Sequence, residues 1–227
     1  MAADSDRIGI QEEKLTMMSG SFYIAKYGDL GSQGEDSHFI CEEMQTIGVA
    51  DGVGGWRMRS VDAGIYARQL MNNSLLATPL RLIHTVSHES LNVFSYVDAA
   101  CCNIGDSGFM VIRQGAAIQI TNSAILFQFS ISVIKVAVEA GDIIIAGTDG
   151  LFDNLYESQI SEIAVTGIEQ SLHPGDVAWQ VAQQAYNISM DKKAVTPFTQ
   201  DSKMAGKWRI GGKRDDITVI VSCILHT

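Results

Sequence analysis

GDIIIAGTDGLFDN, residues 141–154, sets an unbroken apolar run, Ile143 to Ala146, almost directly against an aspartate, Asp149, in a Thr-Asp-Gly corner. Apolar residues in an unbroken row, without polar alternation, have the length and branching of a strand covered on both faces. A carboxylate just beyond such a run stands where a buried strand meets water. The arrangement recurs along the chain. Ile47–Ala50 ends in Asp51, and Asp215 with Asp216 opens the run Ile217–Ile224. Glu35 and Asp36 stand immediately before another expected strand, Ser37 to Cys41, while Phe109–Ile112 and Ile131–Val138 complete the set.

Between these runs the spacing turns helical. After Ser60, an N-cap by residue type, Ala63, Ala67, Leu70, Met71 and Leu75 fall on one face. Ile160, Ile163, Ala164, Gly167 and Ile168 form a second stripe, with Asn154 and Glu157 placed as a capping box. A third helix is expected after Pro174, because Val177, Val181, Ala185 and Ile188 share a face. Strands that alternate irregularly with helices point to an α+β fold or a layered sandwich. At 227 residues and 46% hydrophobic, with no Pro-rich, Ser-rich or charged linker, the chain reads as an N-terminal segment 1–20 without defined structure and one domain over 21–227.

Charge narrows the function classes. A net charge of −10 disfavours nucleic acid, whose phosphates attract clustered Lys and Arg, and suits a protein that collects divalent cations. Cys41, Cys101, Cys102 and Cys223 form no CxxC pair and have no His at zinc-finger spacing, so reduced thiols are expected rather than a zinc site. The acidic start MAADSDRIGIQEEKL has neither a signal-peptide core nor a transit-peptide composition. The apolar stretch 124–138 is broken by Gln128 and Lys135 and is too short for a membrane span. An intracellular, soluble monomer without membrane or nucleic-acid partners is expected.

Acids at four strand ends are the informative feature. Carboxylates gathered in one place repel one another and raise each other's pKa unless cations intervene. Oxygen donors without Cys or His nearby suit Mg²⁺ or Mn²⁺. Two such ions about 3.5–4 Å apart activate a water and offset charge on a transferring phosphoryl group. Singly, each motif reads as something plainer: GSQGED and the Asp-Gly pairs as turns, and GVGG as an incomplete phosphate loop. The five histidines make no ligand pattern.

In combination and in order, GEDSHFI, VADGVGGW, GDSGFMV, AGTDGLFDN and RDDITVIVS, spread from Glu35 to Ser222, resemble the motif set of the metal-dependent type 2C protein serine/threonine phosphatases (the PPM family). DGVGGW with GEDSHFICEE and TDGLFDNLY is similar to its plant and organellar branch. The resemblance implies a four-layer α-β-β-α sandwich of two antiparallel sheets flanked by helices. It implies hydrolysis of phosphoserine and phosphothreonine in phosphoprotein substrates by water activated at a binuclear Mg²⁺/Mn²⁺ centre. Glu35, Asp51 and the carbonyl of Gly52 resemble the ligands of one metal, and Asp51, Asp149 and Asp215 those of the other. Asp36 and Asp106 match further acid positions of the catalytic centre. The resemblance also implies a chloroplast or mitochondrial setting, with the cytoplasm if this amino terminus is complete.

Departures from the pattern are specific. Val53 stands where many members carry a general-acid His, and GDLGSQ replaces the segment with the phosphate-holding Arg, for which Lys26, Arg57 and Arg59 are the available substitutes. Residues 88–103 replace a Gly-Ser/Thr-rich core strand, and the apolar 121–140 replaces a polar loop, so part of one sheet is expected to be shortened. Two other readings stay open: a non-catalytic relative that binds phosphoproteins through the same surface, and another two-metal phosphohydrolase.

Overall fold

The run that opened the sequence is the centre of a five-stranded antiparallel sheet in the computed structural model, which describes residues 15–26, 34–52, 62–86, 97–103, 107–121 and 132–227. In chain order the elements are β1 (Leu15–Ile24), β2 (Ser37–Cys41), β3 (Thr46–Ala50), α1 (Ala63–Val86), β4 (Val97–Asn103), β5 (Gly108–Arg113), β6 (Ala116–Thr121), β7 (Ser132–Val138), β8 (Ile143–Gly147), α2 (Asp149–Phe152), α3 (Glu157–Glu169), α4 (Pro174–Met190), α5 (Pro197–Met204) and β9 (Ile217–His226). The large sheet has the order β1-β9-β8-β5-β6, and two smaller antiparallel pairs, β2-β3 and β4-β7, accompany it.

Side-chain alternation explains why the β8 run carries no polar residue. Ile143 and Ile145 enter one core with Met110, Ile112, Ile217, Val219 and Val221, against Ile160, Ala164, Val177 and Val181 of α3 and α4. Ile144 and Ala146 face the opposite way, into a second core with Phe109, Val111, Ile220 and Val138, on which Ile40, Ile47 and Val49 of the β2-β3 hairpin pack. Burial on both faces removes any reason for polar alternation. Beyond the hairpin, Ala67 and Met71 of α1 close a third cluster with Ala50, Phe39 and Leu70. The layers are therefore α3/α4, the large sheet, the two strand pairs, and α1. This is the α-β-β-α sandwich, with its second β layer reduced to two-stranded pieces among the described residues.

Local chemistry sets the elements. Helix α4 begins at Pro174, and the His173 side chain accepts a hydrogen bond from Gly175 N at 3.1 Å. The helix crosses β1 so closely that a side chain on Gly20 would strike the backbone of Gly175 and Pro174. Helix α3 differs from expectation at its start. Its N-cap is Tyr156, whose N–H donates to Gln159 Oε1 at 2.9 Å. Asn154 is not the cap, because its amide is committed elsewhere, to Gly150 O and to the backbone of Lys213. Strand β1 also begins earlier than the 21–227 boundary: Leu15 already pairs with His226. Expected N-cap Ser60 lies outside the described residues, as do Val53, Arg57 and Arg59.

Candidate active site

Four strand ends meet at one edge of the sandwich. Ser37 pairs with Ala50, so Asp36 and Asp51 flank the same end of the β2-β3 hairpin. Gly147 pairs with Val219, so Thr148 and Thr218 lie together where β8 ends and β9 begins. Three hydrogen bonds weld these corners: Thr148 Oγ1 and Thr218 Oγ1 each donate to Asp36 Oδ2 at 2.7 Å, and Thr218 N donates to Thr148 Oγ1 at 3.1 Å.

Asp216 fastens the next layer. Its Oδ1 accepts from Tyr23 OH at 3.0 Å and Lys26 N at 2.8 Å, and its Oδ2 accepts from Glu35 N at 2.7 Å. It is a clasp, and burial together with Asp216 pushes the Tyr23 hydroxyl pKa well up. Gly52 sits against the same backbone: a Cβ there would stand 2.7 Å from Glu35 O and 2.6 Å from Ala63 O. Glycine is required by this approach, which sets the Gly52 backbone against that of Glu35.

Two lysines reach into the acids. Lys213 Nζ pairs with Asp149 Oδ2, with Asp153 Oδ2 at 2.7 Å and with Asp215 Oδ2 at 3.4 Å. Lys26 Nζ lies 2.9 Å from Asp215 Oδ1. The Lys213 backbone is fixed by Asn154, which accepts from its N–H at 2.9 Å and donates to its carbonyl at 2.8 Å. Lys26 is pinned likewise, its N–H on Asp216 and its carbonyl accepting from Arg214 Nε at 2.8 Å. Among the described residues no three His, Cys, Asp or Glu side chains form a ready-made cation cage. Lys213 is the physical reason on the Asp149 side, since one ammonium stands among three carboxylates.

The protonation energetics follow. Burial raises the Asp36 pKa to about 7, opposed by the hydroxyls of Thr218 and Thr148 and aided by Asp216 and Asp149. Burial also raises the pKa of Asp149, the Lys213 ammonium only partly opposing it. Desolvation works against the charged Lys213, but Asp149 and Asp153 outweigh it and hold the ammonium firmly protonated. Asp36 Oδ1 and Asp149 Oδ1 are buried and receive no hydrogen bond. Carboxylate and carbonyl oxygens only, two of them unsatisfied and buried, make a donor set that fits a hard divalent cation.

Of the residues marked in the sequence, the fold gathers Glu35, Asp36, Asp51, Gly52, Asp149 and Asp215 at this edge. Asp106 lies outside the described residues, and Gly108, two positions on, pairs with Gly147 at the same sheet end. Thr148, Asp153, Lys213 and Thr218 join them from positions that the motifs do not single out. Asp153 was legible by spacing, lying one helical turn after Asp149. Lys213 carried only the weak signal of its place two residues before Asp215.

A five-stranded antiparallel sheet with helices outside it, and acids at the meeting strand ends, is the layout of the type 2C phosphatases. Two curated relatives carry names in the protein phosphatase 2C series. Number 55 of Arabidopsis thaliana is 38% identical over a 256-residue alignment covering 98% of this chain and 55% of the relative. Number 24 of Oryza sativa subsp. japonica is 34% identical over 230 residues, covering 84% of this chain and 73% of the relative. The X-ray structure of the photosystem II phosphatase PBCP shares the fold at TM-score 0.75 and 24% identity, covering 91% of this chain and 98% of that one. No protein-family model matches the chain. The chain belongs to the protein phosphatase 2C family. It spans about half the length of the Arabidopsis relative, 55%. An alignment of 256 positions against 227 residues also means that the relative has residues inside the matched region without counterparts here.

Proposed function

We propose that this chain hydrolyses phosphoserine and phosphothreonine monoesters in proteins, with Glu35, Asp51, the Gly52 carbonyl, Asp149 and Asp215 as oxygen ligands for two Mg²⁺ or Mn²⁺ ions. The observation that carries the reading is the Asp149 carboxylate: one oxygen is buried without a donor, while the other shares a single ammonium with two further acids. Carboxylates left so poorly neutralised in a folded protein are rare unless they serve a ligand. When bound, the ions lower the pKa of a shared water and offset charge on the transferring phosphoryl group.

The chain's own residues supply the rest. Thr148 and Thr218 fix Asp36, which holds its proton near neutral pH in the metal-free protein, its pKa lying at about 7. Asp106 joins this acid set by its motif. Lys26, with its backbone clasped on both sides, is our candidate for the cation that binds substrate phosphate. Val53 supplies no proton, so the leaving oxygen takes one from water or from another group. The working unit is residues 21–227 with β1 extending it back to Leu15, acting as a monomer. Among the described residues no helix is long and apolar enough to cross a membrane, and the motif resemblance to the plant and organellar branch supports a chloroplast or mitochondrial setting.

The test is turnover of p-nitrophenyl phosphate and of a phosphothreonine peptide in Mn²⁺ or Mg²⁺, with bis(p-nitrophenyl) phosphate in parallel. Monoester hydrolysis that chelator and Asp149→Asn abolish is expected. A folded chain that shows a Mn²⁺-dependent thermal shift but turns over neither monoester would sink the reading.

A further inference from the structure

After α5 the chain makes an exposed excursion before it returns to the site. Residues 203–210, KMAGKWRI, are exposed throughout. Within them Met204 is 80%, Trp208 89% and Ile210 79% exposed, and nearby Val195 is 72% exposed. A single exposed apolar residue needs no explanation, but several large ones together, including a nearly bare tryptophan, mark an interaction surface. The segment is held rather than loose. Lys207 N donates to Ser202 O at 2.8 Å, Gly211 N to Ala194 O at 3.2 Å and Gly212 N to Asp191 O at 2.9 Å. Gly211, at φ 88°, packs so tightly on Lys192 that a Cβ would lie 2.8 Å from its backbone.

The charge of this segment is opposite to that of the molecule. Seven of the chain's 16 basic residues, Lys192, Lys193, Lys203, Lys207, Arg209, Lys213 and Arg214, fall within 192–214, against one acid, Asp201, in a chain of net charge −10. Its position is fixed by the site. Lys213 lies five residues after Trp208, a separation of at most about 18 Å. Phe198 of α5 donates its N–H to Asp153 O at 3.0 Å and carries the Lys213 ammonium 5.9 Å above its ring. A basic, aromatic surface thus leads directly into the strand end that carries Asp149, Asp153 and Asp215.

We propose that Val195, Met204, Lys207, Trp208, Arg209 and Ile210 form the docking surface for the protein substrate, taking an acidic stretch with an apolar side chain on the same polypeptide as the phosphorylated residue. The proposal rests on the phosphatase reading. A chain of net charge −10 repels a negatively charged phosphoprotein over most of its surface, and a basic patch near the site reverses that repulsion before the phosphate arrives. Trp and Arg are the residue types that dominate binding energy at interfaces, so Trp208 between Lys207 and Arg209 is its centre.

The experiment compares the wild type, Trp208→Ala and Lys207→Glu/Arg209→Glu on three substrates: p-nitrophenyl phosphate, a phosphothreonine peptide with a Glu- and Leu-containing flank, and the same peptide with a Ser/Gly flank. The flank extends about eight residues, enough to span the separation above. We expect the wild type to prefer the acidic flank through KM, a preference that fades with added salt. Both variants should lose about tenfold in kcat/KM on that peptide and nothing on the aryl phosphate. Equal wild-type kinetics on both peptides would overturn the proposal. So would variants that keep the preference, even if sedimentation or vesicle binding shows that the patch instead serves a second copy of the chain or an anionic lipid surface. Should the wild type turn over neither the aryl phosphate nor either peptide, the phosphatase reading falls by itself. Fluorescence anisotropy of the labelled peptides then judges docking separately, and equal affinity of wild type and Trp208→Ala rejects it.

Discussion

Two buried carboxylate–cation contacts in this molecule look alike and behave differently. At the turn between β7 and β8, Asp142, 1% exposed, accepts from Arg113 Nε at 2.8 Å on one oxygen, and from Arg113 Nη2 at 2.7 Å and Glu139 N at 2.9 Å on the other. Every oxygen is met, in the two-pronged geometry that suits a guanidinium. At the strand ends across the sheet, Asp149, Asp153 and Asp215 share the Lys213 ammonium, and Asp149 Oδ1 has no donor. One site is saturated and the other is short of positive charge. Local rules are obeyed where an ion pair only holds a turn, and broken where the fold keeps carboxylates available for something else.

The largest test of this contrast is to neutralise one acid in each place. Asp149→Asn should lower phosphomonoester turnover by at least on the order of 100-fold, since even outer-shell changes at metal centres cost 10–100-fold. Its thermal midpoint in chelator should hold or rise, because the substitution removes a charge whose burial is unfavourable. Asp142→Asn should do the reverse. It leaves Arg113 facing a neutral amide, and we expect a loss of about 2–3 kcal/mol by denaturant unfolding, with kcat of the folded enzyme unchanged. If both variants lost stability and activity together, the division between the two sites would be wrong.

The same contrast explains what was legible in the sequence. Asp51, Asp149 and Asp215 stood out because each follows or precedes a run whose apolar character comes from two-sided burial, a local signal. Strand β1 was hidden, since LTMMSGSFYI mixes Ser and Gly with apolar residues and becomes a strand by pairing with β9, about two hundred residues away. Strand β6 was hidden by its turn: Gln114 and Gly115 both take positive φ, 50° and 79°, the geometry usually announced by Asn-Gly. Asn154 reads as a cap because nothing local tells that its amide will be claimed by Lys213. Lys213 itself sat in a Gly-Gly-Lys-Arg segment that reads as a polar turn. Its role depends on three acids brought together by separate elements.

A smaller but more diagnostic effect is expected at that lysine. In the metal-free chain Lys213 is the counter-charge for Asp149 and Asp153, so Lys213→Gln should lower the thermal midpoint in chelator. It should also widen the Mn²⁺-induced upward shift, with half-maximal stabilisation reached at a Mn²⁺ concentration on the order of tenfold lower. Removing a tethered cation leaves the carboxylates to a free one. Lys213→Arg, which keeps the charge, should stay near the wild type. A Mn²⁺ response identical in Lys213→Gln and wild type would mean that the ammonium does not compete at these oxygens.

The smallest expected effect separates Asp36 from its neighbours. Thr218→Val keeps the shape of the β9 start but removes one of the two hydroxyls on Asp36 Oδ2, leaving Thr148 Oγ1 as the remaining donor. The loss of one such bond should cost about 1 kcal/mol in unfolding free energy. Because the Thr218 hydroxyl holds the Asp36 pKa down against burial, its removal should raise that pKa further. The carboxyl would then keep its proton to higher pH in the metal-free chain, visible as a move of the Asp36 titration midpoint to higher pH when it is followed by carboxyl-carbon NMR. Thr148→Val should give a similar shift with a larger loss of stability, since Thr148 Oγ1 also accepts from Thr218 N. An unmoved titration in both variants would show that the threonines only fill space at the joint between the sheets.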